Sequence, residues 1–235
     1  MPEADAPEPD RASDVPCGPS LGLRVRAASP SDTGVVARLH AEGIDQGFLS
    51  LLGPRFLRRL YRRICLDPGS FLIVATEDRA GPNAVLGFVA GSVDVPALYR
   101  AFLRRDAVVA GLPSLGHLVI HWRRVLETLR HGSPDGAGSG RGAELLAIAV
   151  DRSTRGRGTG RTLVSAFVDE CSRRSVDEAH VVVGADNQAA VALYLRSGFE
   201  AIERFELHPG TDSLLMQWCR GAANGEPPPP GAGTP

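Results

Sequence analysis

The sequence predicts an α/β fold. Three features predict it. Strand-like and helix-like segments alternate between residues 144 and 219. A glycine-rich turn joins one of those strands to the helix after it. And 43% of the 235 residues are hydrophobic, enough for a sizeable core.

Taken in order, residues 21–27 alternate apolar and polar side chains, the pattern of a strand. Ser29 or Ser31 then caps a helix that holds Val35, Val36, Leu39 and His40. Gly53 and Pro54 open a second helix, in which Leu57, Leu60, Tyr61 and Ile64 recur at helical spacing. Residues 71–76 and 85–93 read as strands joined by the turn Ala80-Gly81-Pro82-Asn83. Residues 96–110 and 115–131 look helical, the second with an apolar stripe of Trp122, Val125, Leu126 and Leu129. Residues 133–142 read as a loop. The regular stretch follows: strand 144–150, helix 158–174, strand 179–184, helix 187–197 capped by Asn187, then strands 199–207 and 214–219. No internal repeat is visible. The Pro- and acid-rich residues 1–20 and the Pro/Gly-rich residues 221–235 are expected to be disordered tails around one domain at 21–220.

Composition excludes several classes. The 26 basic and 27 acidic side chains nearly balance, so no overall field favours nucleic acid. Cys17, Cys65, Cys171 and Cys219 form no C-x-x-C pair and have no histidine at ligand spacing, which argues for reduced thiols and no metal. The acidic, Pro-rich start resembles neither a signal nor a transit peptide, and no apolar run approaches the roughly 20 residues of a membrane helix. A soluble, cytoplasmic protein without nucleic-acid or membrane partners is expected. Self-association as a homodimer is compatible with the sequence.

The glycine turn carries the chemistry. It runs Asp151-Arg-Ser-Thr-Arg155-Gly156-Arg157-Gly158-Thr159-Gly160-Arg161. Glycines let the main chain approach a ligand without a Cβ clash. The amides that start the next helix lack intrahelical acceptors and sit at the positive end of its dipole. That makes an anion site suited to a pyrophosphate, to which Arg155, Arg157 and Arg161 add charge-assisted hydrogen bonds. A Walker loop would need Gly-Lys-Ser/Thr, but Arg161 follows Gly160. A dinucleotide fingerprint would need G-x-G-x-x-G and a ribose-binding carboxylate on a following strand; neither is present. A solvated glycine turn is the plain alternative.

The run AIAVDRSTRGRGTGRTLV resembles the central motif of the GNAT superfamily of acetyl-CoA-dependent N-acetyltransferases, with Arg155, Gly158 and Gly160 at the motif positions. A second run, VVVGADNQAAVALYLRSGFEAI, is similar to the family's next signature through Asn187, Ala190, Leu193, Tyr194, Gly198 and Phe199. The resemblance covers about 21–220 and implies a mixed, mostly antiparallel sheet of about seven strands flanked by helices, with residues 94–142 as a helical insertion. It implies acetyl-CoA as co-substrate and no metal. The pyrophosphate is expected on Arg155, Gly156, Arg157, Gly158, Thr159, Gly160 and Arg161, and the pantetheine arm along Ile148, Ala149 and Val150. Asn187 is expected to contact the cofactor, cap its helix, or do both.

Acetyl transfer needs a deprotonated amine, a polarised thioester and a protonated leaving sulfur. An alkylamine with a pKa of about 10.4 costs roughly 4–5 kcal/mol to deprotonate at neutral pH, so a proton acceptor helps. The resemblance implies Tyr194 as the general acid, the alternative being a packed aromatic. Glu144 is the candidate base. It lies six residues before Val150, the offset of the catalytic glutamate in histone-type relatives. The alternative is a carboxylate facing water.

The acceptor is expected to be a primary amine of a small molecule such as an amino sugar. The stretch GFLSLLGPRFLRRLYRRI and the segments around Asn187 and His208 resemble uncharacterised GNAT proteins, some of them linked to glycan or amino-sugar pathways. Phe48, Leu49, Leu51 and Leu52 then either build the acceptor site or cover the sheet. Two other readings stay open: a protein N-terminal or lysine acetyltransferase, and a non-catalytic acyl-CoA sensor. Ribosomal-protein alanine acetyltransferases carry a glutamate twelve residues before the tyrosine; here that residue is Val182, with Asp186 nearby. His117, His121, His131, His208 and the arginines near 100–105, 123–124 and 130 are further candidates for acceptor contacts, or surface residues.

Overall fold

A computed structural model describes residues 22–44, 53–77, 84–107, 142–208 and 211–221. The sheet forms because its central strands are apolar on both faces. In β2 (Ser70–Glu77), Phe71, Ile73 and Ala75 join one core cluster, while Leu72 and Val74 join the other. That pattern marks a strand covered by helices on both sides. Around it lie β1 (Leu23–Ala27), β3 (Val85–Ser92), β4 (Gly142–Val150), β5 (Glu178–Gly184), β6 (Glu200–His208) and β7 (Thr211–Cys219). The order is β1-β2-β3-β4-β5-β7-β6. Every neighbouring pair is antiparallel except β4–β5, which is parallel. The mixed, mostly antiparallel seven-stranded sheet matches the expectation.

Five helices flank the sheet among the described residues: α1 (Thr33–Gly43), α2 (Gly53–Leu66), α3 (Val95–Phe102), α4 (Thr159–Arg173) and α5 (Gln188–Arg196). Helix α4 buries Leu163, Val164, Phe167 and Cys171 on one face of the sheet. Helices α1, α2 and α3 cover the other, with Val36, Leu39, Leu57, Leu60, Ile64 and Leu98 inside. The predicted starts at Gly53-Pro54 and Asn187 are correct: α2 begins at Gly53, and the Asn187 side chain accepts from the Ala190 amide at 3.1 Å.

Three expectations need correction. The α1 cap is neither Ser29 nor Ser31 but Asp32, whose side chain does not cap the helix. Its carboxylate turns back instead to Arg26 (2.7 and 2.9 Å) and to the Ser29 amide and hydroxyl (2.7 and 2.8 Å). The Arg26 guanidinium holds Asp32 down at about 2. The helix predicted over 96–110 is regular only to Phe102, then loosens into a π turn at Leu103–Ala107. And β4 starts two residues early, absorbing Gly142 from the predicted loop. The turn at 80–83, the helix at 115–131, Phe48, Leu49, Leu51, Leu52 and most of the loop at 133–142 lie outside the described residues, as do residues 1–20 and 222–235 of the two tails.

One irregularity in β4 decides the geometry of the domain. Leu145 pairs with Gly91 and Ala147 with Ala90, so Leu146 is an extra residue without a partner on β3. This is a β-bulge, and it reverses the alternation of faces. Before it, Ala143 and Leu145 face α4. After it, Ile148 and Val150 take that face, and Ala149 faces α1. Leu146 and Ala147 lie side by side against the α1–α3 layer.

Gly91 stands opposite the bulge. A Cβ there would come within 2.5–2.8 Å of Phe71 and 2.6 Å of Phe167. Gly91→Ala is therefore expected to lower stability by about 1–3 kcal/mol through overpacking. Urea unfolding checks this; an unchanged midpoint would show that the two rings yield freely.

Candidate active site

Just before the bulge, β4 loses β5. The two strands pair only at Gly142–Glu178, Ala143–Ala179 and Glu144–His180. Both then run on, β4 to Val150 and β5 to Gly184, without further pairing. A cleft opens between them, and along it the β4 main chain has no ladder partner on that side among the described residues. Ile148, Ala149 and Val150 lie on this stretch.

The cleft ends at the glycine turn. The turn is shaped by Asp151, whose carboxylate accepts from the Ser153 amide at 2.9 Å and its hydroxyl at 2.5 Å. A 3-10 turn at Arg152–Thr154 follows. Gly156 (φ 77°) and Gly158 (φ 84°) then take left-handed conformations that side chains disfavour, and nothing lies within 4 Å of a Cβ built on either. Gly158 begins α4; the first amide with a helical acceptor is Thr162, which donates to Gly158 O at 3.0 Å. The amides of Thr159, Gly160 and Arg161 thus remain available to an anion at the positive end of the dipole. Arg155, Arg157 and Arg161 are exposed around the turn. Arg152 is tied to the α1 end through Glu42 O at 3.4 Å. The Thr159 hydroxyl is buried without a hydrogen-bond partner among the described residues. Open glycines, free amides and surrounding guanidinium groups fit a pyrophosphate.

Glu144 sits at the apex of the cleft, where β4 and β5 part. It is 8% exposed, and burial pushes its carboxyl up to about 8. It is not a carboxylate facing water. Two neighbours escaped sequence reasoning. His180 is its register partner on β5, and Tyr99 of α3 feels its charge. Register between distant strands has no signature in one sequence. His40 is likewise buried: its Nδ1 bonds the Tyr61 hydroxyl at 2.6 Å, its ring stacks on Phe88, and burial lowers it to about 4.

Tyr194 lies on α5, close to the α4 start, where Leu193 touches the position of a Gly160 Cβ at 3.3 Å. Its ring packs 5.5 Å from Phe199, and burial keeps the phenol protonated well above its usual range. Asn187 serves as a cap through its carbonyl oxygen, leaving its NH2 group for another partner. Val182 and Asp186 lie on β5 and in the turn after it, the latter exposed. His208 ends β6, while His117, His121 and His131 lie outside the described residues. No cluster of three metal-ligating side chains occurs among the described residues.

A match to the Acetyltransferase (GNAT) family spans residues 44–199, including the bulged strand, the glycine turn and the Asn187–Tyr194 helix. The chain belongs to the GNAT family. Within it, the sequence is 29% identical over 199 residues to the mycothiol acetyltransferase of Kocuria rhizophila, covering 80% of this chain and 50% of that one. It is 42% identical over 71 residues to the [ribosomal protein bS18]-alanine N-acetyltransferase of Escherichia coli, covering 30% and 48%. The chain spans about half or less of the length of these GNAT relatives. Among solved structures, Arabidopsis thaliana NAA60 in complex with acetyl-CoA shares the GNAT fold at a TM-score of 0.55 and 18% identity, over 84% of this chain and 98% of that one.

The raised Glu144 carboxyl has a pH signature. The folded state holds a proton that the unfolded state releases near 4.5. The group's contribution to stability is therefore complete below the unfolded value and is lost as pH rises through about 8. Glu144→Gln, which stays neutral, is expected to melt higher relative to the native protein at pH 9 than at pH 6. A constant difference in melting temperature at the two pH values would show that the carboxyl titrates normally.

Proposed function

We propose that this protein is an N-acetyltransferase that moves an acetyl group from acetyl-CoA to a primary amine of a small molecule. One observation carries the reading: the β4–β5 cleft runs from a buried, proton-binding Glu144 to the open amides of the glycine turn. Membership of the GNAT family supports it, as does the acetyl-CoA bound by the NAA60 neighbour.

Acetyl-CoA, when bound, supplies an acyl carbon already activated as a thioester. The turn residues from Arg155 to Arg161 hold the pyrophosphate, and the Ile148, Ala149 and Val150 main chain orients the arm. Glu144 in its ionised form takes the proton that the attacking amine loses; its carboxyl releases its own proton only near about 8, so the competent fraction grows as pH rises toward that value, and such a carboxylate is a much stronger base than an ordinary one. Tyr194, kept neutral by burial, gives its hydroxyl proton to the departing sulfur. The carbon–nitrogen bond forms as the carbon–sulfur bond breaks, and the two residues return to their starting states through solvent.

The acceptor reading favours a small molecule, such as an amino sugar. The longer of the two alignments leads to mycothiol acetyltransferase, over 80% of this chain. The ribosomal-protein enzyme keeps protein N-terminal acetylation as a second reading, through 42% identity over 71 residues. Against it stands Val182, where such enzymes carry a glutamate.

Two measurements test the proposal. Acetyl-CoA at about 100 times its Kd should stabilise the fold by about 2.7 kcal/mol. That corresponds to a rise in melting temperature of about 5–10 °C; no rise would sink the reading. Thiol release in the presence of a panel of amino sugars, amino acids, polyamines and peptides then separates an enzyme from a sensor. Tyr194→Phe should slow release about a hundredfold while keeping the acetyl-CoA shift. Unaltered turnover would remove Tyr194 from the chemistry.

A further inference from the structure

Beside the bulge, between α2, α3 and β4, the core leaves a cavity of about 40 Å³. Packed interiors hold few voids larger than a water. Its deep walls are Leu60, Tyr61 and Leu98, at 4%, 2% and 0% exposure. Its remaining walls include Tyr99 of α3 and Leu146 and Ala147 of β4, which are only half-buried, so the cavity opens where α3 meets the bulged part of β4. The lining is apolar apart from the two phenols, and the Tyr61 hydroxyl is already engaged by His40 at 2.6 Å.

Position gives the cavity a role. With the pyrophosphate on the glycine turn and the arm against Val150, Ala149 and Ile148, the thioester end points along β4 toward Glu144. Each residue of strand advances about 3.3 Å. The next positions are Ala147 and Leu146, where the cavity opens. An ordered water needs about 10–15 Å³ of such space, so the cavity takes about three water-sized groups, more than one methyl requires.

We propose that this cavity receives the acyl chain of the thioester and admits three- and four-carbon chains as well as acetyl. The inference rests on the donor reading above and extends it to a class of acyl-CoA substrates. The bulge makes the pocket: Leu146 and Ala147 share one face only because of the extra residue, and their side chains form the rim instead of alternating across the sheet. Burying one more methylene in an apolar pocket favours binding about fourfold.

The experiment is a calorimetric series on the whole chain with free coenzyme A, acetyl-CoA, propionyl-CoA and butyryl-CoA. Affinity is expected to rise about fourfold from acetyl to propionyl and to rise again at butyryl. Leu60→Phe and Leu98→Phe fill the far end of the cavity from α2 and α3. In whichever of these variants melts cooperatively, the rise should disappear while acetyl-CoA still binds. Equal or falling affinity along the series in the native protein, with acetyl-CoA bound, overturns the acyl pocket alone. A rise that persists in a folded, filled variant also overturns it, since the chain would then lie elsewhere. Failure of all four ligands to bind would instead overturn the donor reading.

Discussion

A single unpaired residue, Leu146, governs how this domain can work. A regular β4 would keep one face for α4 and the other for α1–α3 along its whole length. The bulge breaks that parity, so Glu144 and Ala149 can both face the α1–α3 layer although they lie an odd number of residues apart. It also turns the strand away from β5 just after Glu144–His180. The cleft, the exposed main chain beside it and the aim of the glycine turn all follow from that one insertion. Gly91 opposite it is the steric counterpart, small because Phe71 and Phe167 occupy the space a side chain would need.

The electrostatics follow from the same geometry. Glu144 is brought to the end of the paired segment and buried, and burial is the cause of its raised affinity for a proton. Around it the layer is mainly apolar, relieved by Tyr99 and by the His40–Tyr61 pair. The glycine-turn end is the reverse: open, surrounded by guanidinium groups, and set at a helix start. One end of the cleft thus favours neutral groups and the other favours negative charge, a polarity that matches a long ligand with a phosphate end and an uncharged reactive end.

Much of this was legible in the sequence because it depends on local chemistry. Gly53-Pro54 and Asn187 act on their own helices, and the positive φ of Gly156 and Gly158 is something glycine permits wherever it stands. The motif spacing singled out Tyr194 and Glu144, which the fold buries on α5 and at the end of the β4–β5 pairing. What could not be read depends on partners far apart in the chain. Asp32 caps α1 without capping contacts because Arg26 claims its carboxylate. Leu146 looks like any apolar strand residue until β3 is laid beside it. His180 becomes a neighbour of Glu144 only through parallel pairing across more than thirty residues of intervening chain. The loosening of α3 into a π turn has no local breaker to announce it.

The parallel seam between β4 and β5 has a mechanical consequence. Three residue pairs hold it, so the sheet is nearly two half-sheets, β1 to β4 and β5 to β6. Helix α4 packs on β2, β3, β4 and β5, and acts as a splint across the joint. The splint is capped by Gly158, in the glycine turn. A ligand held at that turn and along β4 would touch both the splint and the gap that the missing ladder leaves, so filling the cleft would also brace the joint.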